Sequence, residues 1–73
     1  MRNGLIEFAG GTKWWYINDK RHREDGAAVE YANGTKRWYI NDKEFTKEEW
    51  KDWVINESNL PTNEITRILL LNS

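Results

Sequence analysis

Ile6–Lys20 reads IEFAGGTKWWYINDK, and Val29–Lys43 reads VEYANGTKRWYINDK. The two stretches lie 23 residues apart and agree at eleven of fifteen positions, differing only at Ile6/Val29, Phe8/Tyr31, Gly10/Asn33 and Trp14/Arg37. Identity this dense marks an internal repeat, and a repeat must solve its burial problem in the same way twice. Each copy has the pattern of a β-hairpin. Asn33-Gly34 is a strong two-residue turn signal, because a type I′ turn needs positive φ at both central residues, and Gly10-Gly11 supplies the same freedom.

A two-residue turn fixes a register. It pairs Glu7 with Trp14 and Ile6 with Trp15 in the first copy, and Glu30 with Arg37 and Val29 with Trp38 in the second. Alternation then sorts the side chains. Ile6, Phe8, Trp15 and Ile17, with Val29, Tyr31, Trp38 and Ile40, form the expected apolar face. Glu7, Trp14 and Tyr16, with Glu30, Arg37 and Tyr39, form the other, where Glu30 and Arg37 are expected to make a weak cross-strand ion pair. Asn18-Asp19 and Asn41-Asp42 supply a second turn after each long strand, since both residue types tolerate the left-handed region. Lys20–Arg23 then reads as a short return strand, and Glu44-Phe45 begins the same return.

Beyond the second copy, Thr46-Lys47-Glu48-Glu49 is a capping box, and Trp50, Trp53 and Val54 follow at i, i+3 and i+4. This predicts a helix to about Asn56, broken by Ser58-Asn59-Leu60-Pro61. Thr62–Leu71 admits two readings. Ile65, Ile68 and Leu69 fit a helical stripe, which is the reading adopted, while Ile65–Leu71 also fits an edge strand. The expected fold class is α+β: antiparallel hairpin repeats of two 23-residue units over 5–45, and a C-terminal helical tail over 46–73 packed on the sheet. The whole is one domain, 1–73.

Composition narrows the function. Seventy-three residues make a thin core that needs reinforcement, and the chain has no cysteine and a single histidine, His22. Its reinforcement is aromatic, with five Trp, three Tyr and two Phe. Lys+Arg is 11 and Asp+Glu is 12, so charge alone argues against duplex nucleic acid. No apolar run is long enough for a membrane span, and Met1–Gly4 lacks the pattern of a signal peptide, so a cytosolic setting is expected. A thin core also admits a homo-oligomer.

The string from Trp15 to Gly34, WYINDKRHREDGAAVEYANG, resembles a repeat of small bacteriophage proteins whose usual form is WYINGKxHREDGPAxEYxNG. Those proteins often finish with a W-Y-x-N-G-K hairpin and a T-x-E-E-aromatic helix, as Trp38–Trp50 does here. The period and hairpin layout are also similar to MORN repeats, whose glycine pattern is missing. The resemblance covers residues 6–50, about two thirds of the chain. Asp19 and Asp42 stand where the family has Gly, and Ala27 where it has Pro, which reads as relaxed turns. The resemblance implies a phage-encoded protein acting in the host cytoplasm, with no catalytic residues.

Candidate chemistry is sparse. His22-Arg23-Glu24-Asp25 is the one cluster of acid, base and imidazole, and it reads as a self-paired polar turn. Lys13, Lys20, Lys36 and Lys43 recur among aromatics, a pattern that suits single-stranded nucleic acid or simply guards a sheet edge. Trp14, Tyr16, Arg37 and Tyr39, with Glu30, are the candidate partner-binding residues, because alternation sends them away from the expected core. Either the tail covers them or they form an interface rich in Trp, Tyr and Arg. The expected function is that of a non-enzymatic phage accessory protein that uses no cofactor or metal. Its partner is a host protein, and inhibition of a bacterial defence such as CRISPR is the sharpest version. A nucleotide-binding sponge and a structural phage repeat protein are the alternatives.

Overall fold

A computed structural model describes residues 2–72; the ends of the expected domain, Met1 and Ser73, lie outside the described residues. Among the described residues, six strands form one antiparallel sheet: β1 (Gly4–Glu7), β2 (Lys13–Ile17), β3 (Lys20–Arg21), β4 (Val29–Glu30), β5 (Lys36–Ile40) and β6 (Lys43–Phe45). Two helices follow, α1 (Lys47–Asn56) and α2 (Thr62–Leu71). Of the two readings of Thr62–Leu71, the helix is the one observed.

The sheet runs β1-β2-β4-β5-β6, with β3 also paired to β2. One edge of β2 takes β1, and the other takes β4 at Lys13-Trp14 and β3 at Tyr16-Ile17. β3 and β4 therefore lie end to end in one lane. That lane is closed on its far side by β5, through the β4–β5 ladder and through Arg23 N to Tyr39 O and Asp42 N to Arg21 O. Asn18-Asp19 and Asn41-Asp42 form true two-residue turns, with φ of 50° and 68° in the first and 50° and 69° in the second. Left-handed values at both central positions match the right-handed twist of the flanking strands.

The Gly10-Gly11 and Asn33-Gly34 reversals differ from expectation by one residue. Phe8 N donates to Thr12 O at 2.8 Å and Gly11 N to Phe8 O at 3.2 Å; Tyr31 N donates to Thr35 O at 2.8 Å and Gly34 N to Tyr31 O at 2.9 Å. Each loop thus holds three residues, 9–11 and 32–34. Asn33 is not among the residues with positive φ, its Oδ1 accepts from Thr35 N at 3.0 Å, and Gly34 alone turns left-handed at 91°. That is a type I turn closed by a glycine bulge. The ladder consequently pairs Ile6 with Trp14, Leu5 with Trp15, Val29 with Arg37 and Glu30 with Lys36, correcting the expected register.

A one-residue slip moves a whole strand to the other face. Trp15, Ile17, Trp38 and Ile40 keep the face expected for them. Ile6, Phe8, Val29 and Tyr31 do not, and join Trp14, Tyr16 and Tyr39 instead. The sheet therefore has apolar clusters on both sides. On one side Ile40, Trp50, Val54 and Ile68 are buried, with Trp38, Phe45, Trp53, Leu60 and Ile65 packed around them, so both helices lie here. On the other, Ala28, Val29 and Tyr39 are buried beside Trp14 and Tyr31.

Helix α1 begins as the capping box requires. Thr46 Oγ1 accepts from Glu49 N at 3.1 Å, and Glu49 Oε1 accepts from Thr46 N at 2.9 Å. The Trp50 indole has no exposed surface, and its Nε1 donates to Arg23 O at 3.2 Å, fastening the helix to the β3–β4 loop. Trp15 and Trp38 share a face but not an environment. Trp38 packs on Trp50 at 6.2 Å between ring centroids, whereas Trp15 lies under the Arg23 guanidinium at 3.9 Å.

Candidate partner-binding face

Alternation along β2 and β5 sends Trp14, Tyr16, Arg37 and Tyr39 to the side of the sheet that carries no helix, as expected. The corrected register adds Ile6, Phe8, Val29 and Tyr31 to them, and removes Glu30. Glu30 pairs across the strands with Lys36 and accepts from Arg23 Nη1 at 3.0 Å. The expected Glu30–Arg37 ion pair is therefore replaced. Arg37 instead donates to Glu44 Oε2 at 3.1 Å, because Tyr39 stands opposite Glu44 across the β5–β6 ladder.

The rings form a short ladder. Phe8 meets Trp14 edge-on at 5.6 Å, and Trp14 lies nearly parallel to Tyr16 at 6.1 Å. Arginines cover the tyrosines. The Arg21 guanidinium lies 4.3 Å from the Tyr39 ring and 5.5 Å from that of Trp14, and Arg2 lies 5.4 Å from Tyr16. Tyr16 and Tyr39 are consequently only 6% and 8% exposed, while Phe8 is 45% exposed. The accessible surface of this face is therefore made by Phe8, the open part of Trp14 and the arginine heads.

Two of the arginine charges on the face, Arg21 and Arg37, are paired. Arg21 Nε donates to Asp42 Oδ1 at 2.7 Å, which pushes the Arg21 guanidinium above its ordinary value and holds the Asp42 carboxyl below its own. The Glu44 charge is the first cause of a similar rise at Arg37. The Asp42 carboxylate also accepts from Arg21 N at 3.0 Å and ties the second turn to β3. Asp19 similarly accepts from Arg2 N at 3.1 Å.

Reading the sequence missed Phe8, Arg2 and Arg21 as parts of this face. Phe8 was hidden by the register, and the arginines by their lying outside the repeated strands. The lysines at 13, 20, 36 and 43 fall on the opposite side of the sheet from the rings, because each neighbours or pairs with a residue of the other alternation.

The His22–Asp25 cluster turns inward. His22 is 7% exposed, and its Nδ1 accepts from Asn41 N at 3.0 Å. That acceptor role places the ring proton on Nε2, which faces Glu24 Oε2 at 3.0 Å. Arg23 bonds Asp25, Ala27 O and Glu30 while stacked on Trp15. The cluster latches the β3–β4 loop to β5 and α1. Beside it, a groove of about 470 Å³ separates Trp15 and Ile17 from Leu60 and Ile68. Among the described residues, no group of three or more His, Cys, Asp or Glu is placed to hold a metal ion, and no helix is long and apolar enough to cross a membrane.

The chain matches no protein-family model, no curated protein and no solved structure at a significant level.

Proposed function

We propose that this chain is a non-enzymatic phage accessory protein, built from two 23-residue hairpin units, that binds a bacterial host protein through its helix-free face. The observation that carries this reading is the Phe8–Trp14–Tyr16 ring ladder with Arg21 and Arg37 beside it, on a sheet face that neither helix covers. Trp, Tyr and Arg are the residue types that dominate binding hot spots, since each offers a large contact area with a polar handle. The phage origin and the host cytoplasm rest on the likeness of Trp15–Gly34 to the phage repeat. Inhibition of an anti-phage defence complex, as an anti-CRISPR protein would achieve, is the most specific form of the proposal. The nucleotide-sponge alternative is less well supported, because Asp42 and Glu44 already engage Arg21 and Arg37, and the recurring lysines stand on the far side of the sheet.

Affinity capture from bacterial host lysate tests the reading. The wild type is expected to retain a partner that Trp14→Ala combined with Arg37→Glu loses, while Ile55→Ser on the helix side keeps it. Equal retention by all three proteins, or none by the wild type, sinks the proposal. Far-UV circular dichroism of each variant separates lost binding from lost folding.

A further inference from the structure

We propose that β1 pairs with β1 of a second copy of this chain, antiparallel and two-fold symmetric about Ile6, joining two sheets into one. This goes beyond host binding: it rests on the backbone edge of β1 and shares Ile6 and Phe8 with the face proposed for the host protein.

Phe8 N donates inward to Thr12 O, so Phe8 and, by the two-residue period, Ile6 direct their backbone groups at β2. Those of Leu5 and Glu7 point away from the sheet. An outer strand with free amides and carbonyls is a template for another strand. The far edge of the sheet is guarded: β6 carries Lys43 and Glu44 and runs directly into the Thr46 cap of α1. β1 has neither lysine nor proline, and its single charge, Glu7, stands opposite Lys13 within its own chain. Exposed apolar side chains flank it on both faces, with Leu5 46% and Phe8 45% exposed.

The sequence of β1 is complementary to itself in one register. Pairing Leu5 with Glu7 of the second copy, and Glu7 with its Leu5, lets the outward groups exchange both their bonds. Ile6 then meets Ile6 across the two-fold axis, in the closer, non-hydrogen-bonded type of pair. Phe8 falls opposite Gly4, where a Cβ built on the backbone would meet nothing within 4 Å, so the ring has room to lie over the glycine backbone. On the helix-free side this makes a continuous strip of Phe8, Ile6, Ile6 and Phe8, covering the most exposed ring of each ladder. The Arg37 end of each face stays open.

Light scattering over a concentration series, with purified protein alone, tests the proposal independently of any host partner. The wild type should show twice the mass of one chain. Glu7→Pro removes an outward amide and no bond of the β1–β2 ladder, so it should keep the native tryptophan fluorescence and fall to the mass of one chain. Ile6→Cys gives a direct reading, because the chain has no other cysteine. Non-hydrogen-bonded partners have Cα atoms about 4.5 Å apart, within the disulfide range of about 4.4–6.8 Å. Mild oxidation should convert Ile6→Cys to a covalent dimer and leave Ile55→Cys largely uncoupled. A wild type of single-chain mass at every concentration, a dimeric Glu7→Pro, or Ile6→Cys coupling no faster than Ile55→Cys overturns the proposal.

Discussion

Gly26 is buried, and a Cβ built there would lie 2.9 Å from Arg23 Cζ and 3.2 Å from Arg23 Nε. The glycine lets the guanidinium pass close to the chain, stack on Trp15 and bond Asp25, Ala27 O and Glu30 at once. A free arginine tip would swing aside at little cost, but this one has three partners to lose. Gly26→Ala is therefore expected to lower stability by about 1–3 kcal/mol, the range for a broken part-buried network. Urea titration followed by tryptophan fluorescence measures it, and an unchanged midpoint would mean the latch holds nothing.

Two carboxylates contribute to the acid side of stability. Arg21 holds Asp42 below its ordinary 3.8, and the Thr46 amide holds Glu49 below its ordinary 4.5. A depressed folded value means that the stabilisation is fully present above those ordinary values. It is lost as pH falls through the depressed ones. Thermal midpoints are expected to decline below about pH 4.5, and Arg21→Gln should flatten the part of the decline that Asp42 contributes. If Arg21→Gln and wild type trace parallel curves through that window, the Arg21–Asp42 bond is not the cause.

At the level of the element, local chemistry was legible and register was not. Asn18-Asp19, Asn41-Asp42 and Thr46–Glu49 each name one geometry, and each adopts it. Asn33-Gly34 names two, since it serves a two-residue turn or a three-residue loop with the glycine at the bulge. The Asn33 side chain settles the choice by bonding Thr35 N. In the second copy that bond accounts for the exchange of Val29 and Tyr31 between faces; the first copy makes a three-residue loop of the same length with glycine at 10 and 11, and Ile6 and Phe8 exchange with it. The long strands could not betray the error, because Trp14 and Tyr16 are as apolar as Trp15 and Ile17.

Helix α1 offers a paired test of what an indole contributes. Trp50 Nε1 reaches Arg23 O, whereas Trp38 Nε1 is buried without a partner among the described residues. Removing a made bond strands the Arg23 carbonyl, while removing an unmade one relieves a desolvated donor. Trp50→Phe should thus destabilise more than Trp38→Phe, by about 1–2 kcal/mol. Equal losses in parallel denaturant titrations would show that ring volume alone decides.

The whole molecule is a sheet with two unlike sides. Its helix side is closed by large rings from α1 and α2, and its other side is closed by arginines lying on tyrosines. The α+β class and the two helices were legible, because periodicity and capping are local. The residues of the helix-free face were legible only in part. Trp14 and Arg37 emerged from alternation along one strand, whereas Phe8 and Arg21 depend on how neighbouring strands are set against each other.

Every pairing in the sheet joins residues close along the chain. The widest ladder pair, Lys13 with Glu30, spans 17 positions, the Asp42 N to Arg21 O bond beside β5 spans 21, and most pairs link strands separated by a single turn. Little loop entropy has to be lost before each ladder forms, so the topology has low contact order. Refolding after stopped-flow dilution from urea should finish within milliseconds, faster than the range usual for barrels and sandwiches. A dominant phase of seconds would mean that docking of the helices, and not assembly of the strands, sets the pace.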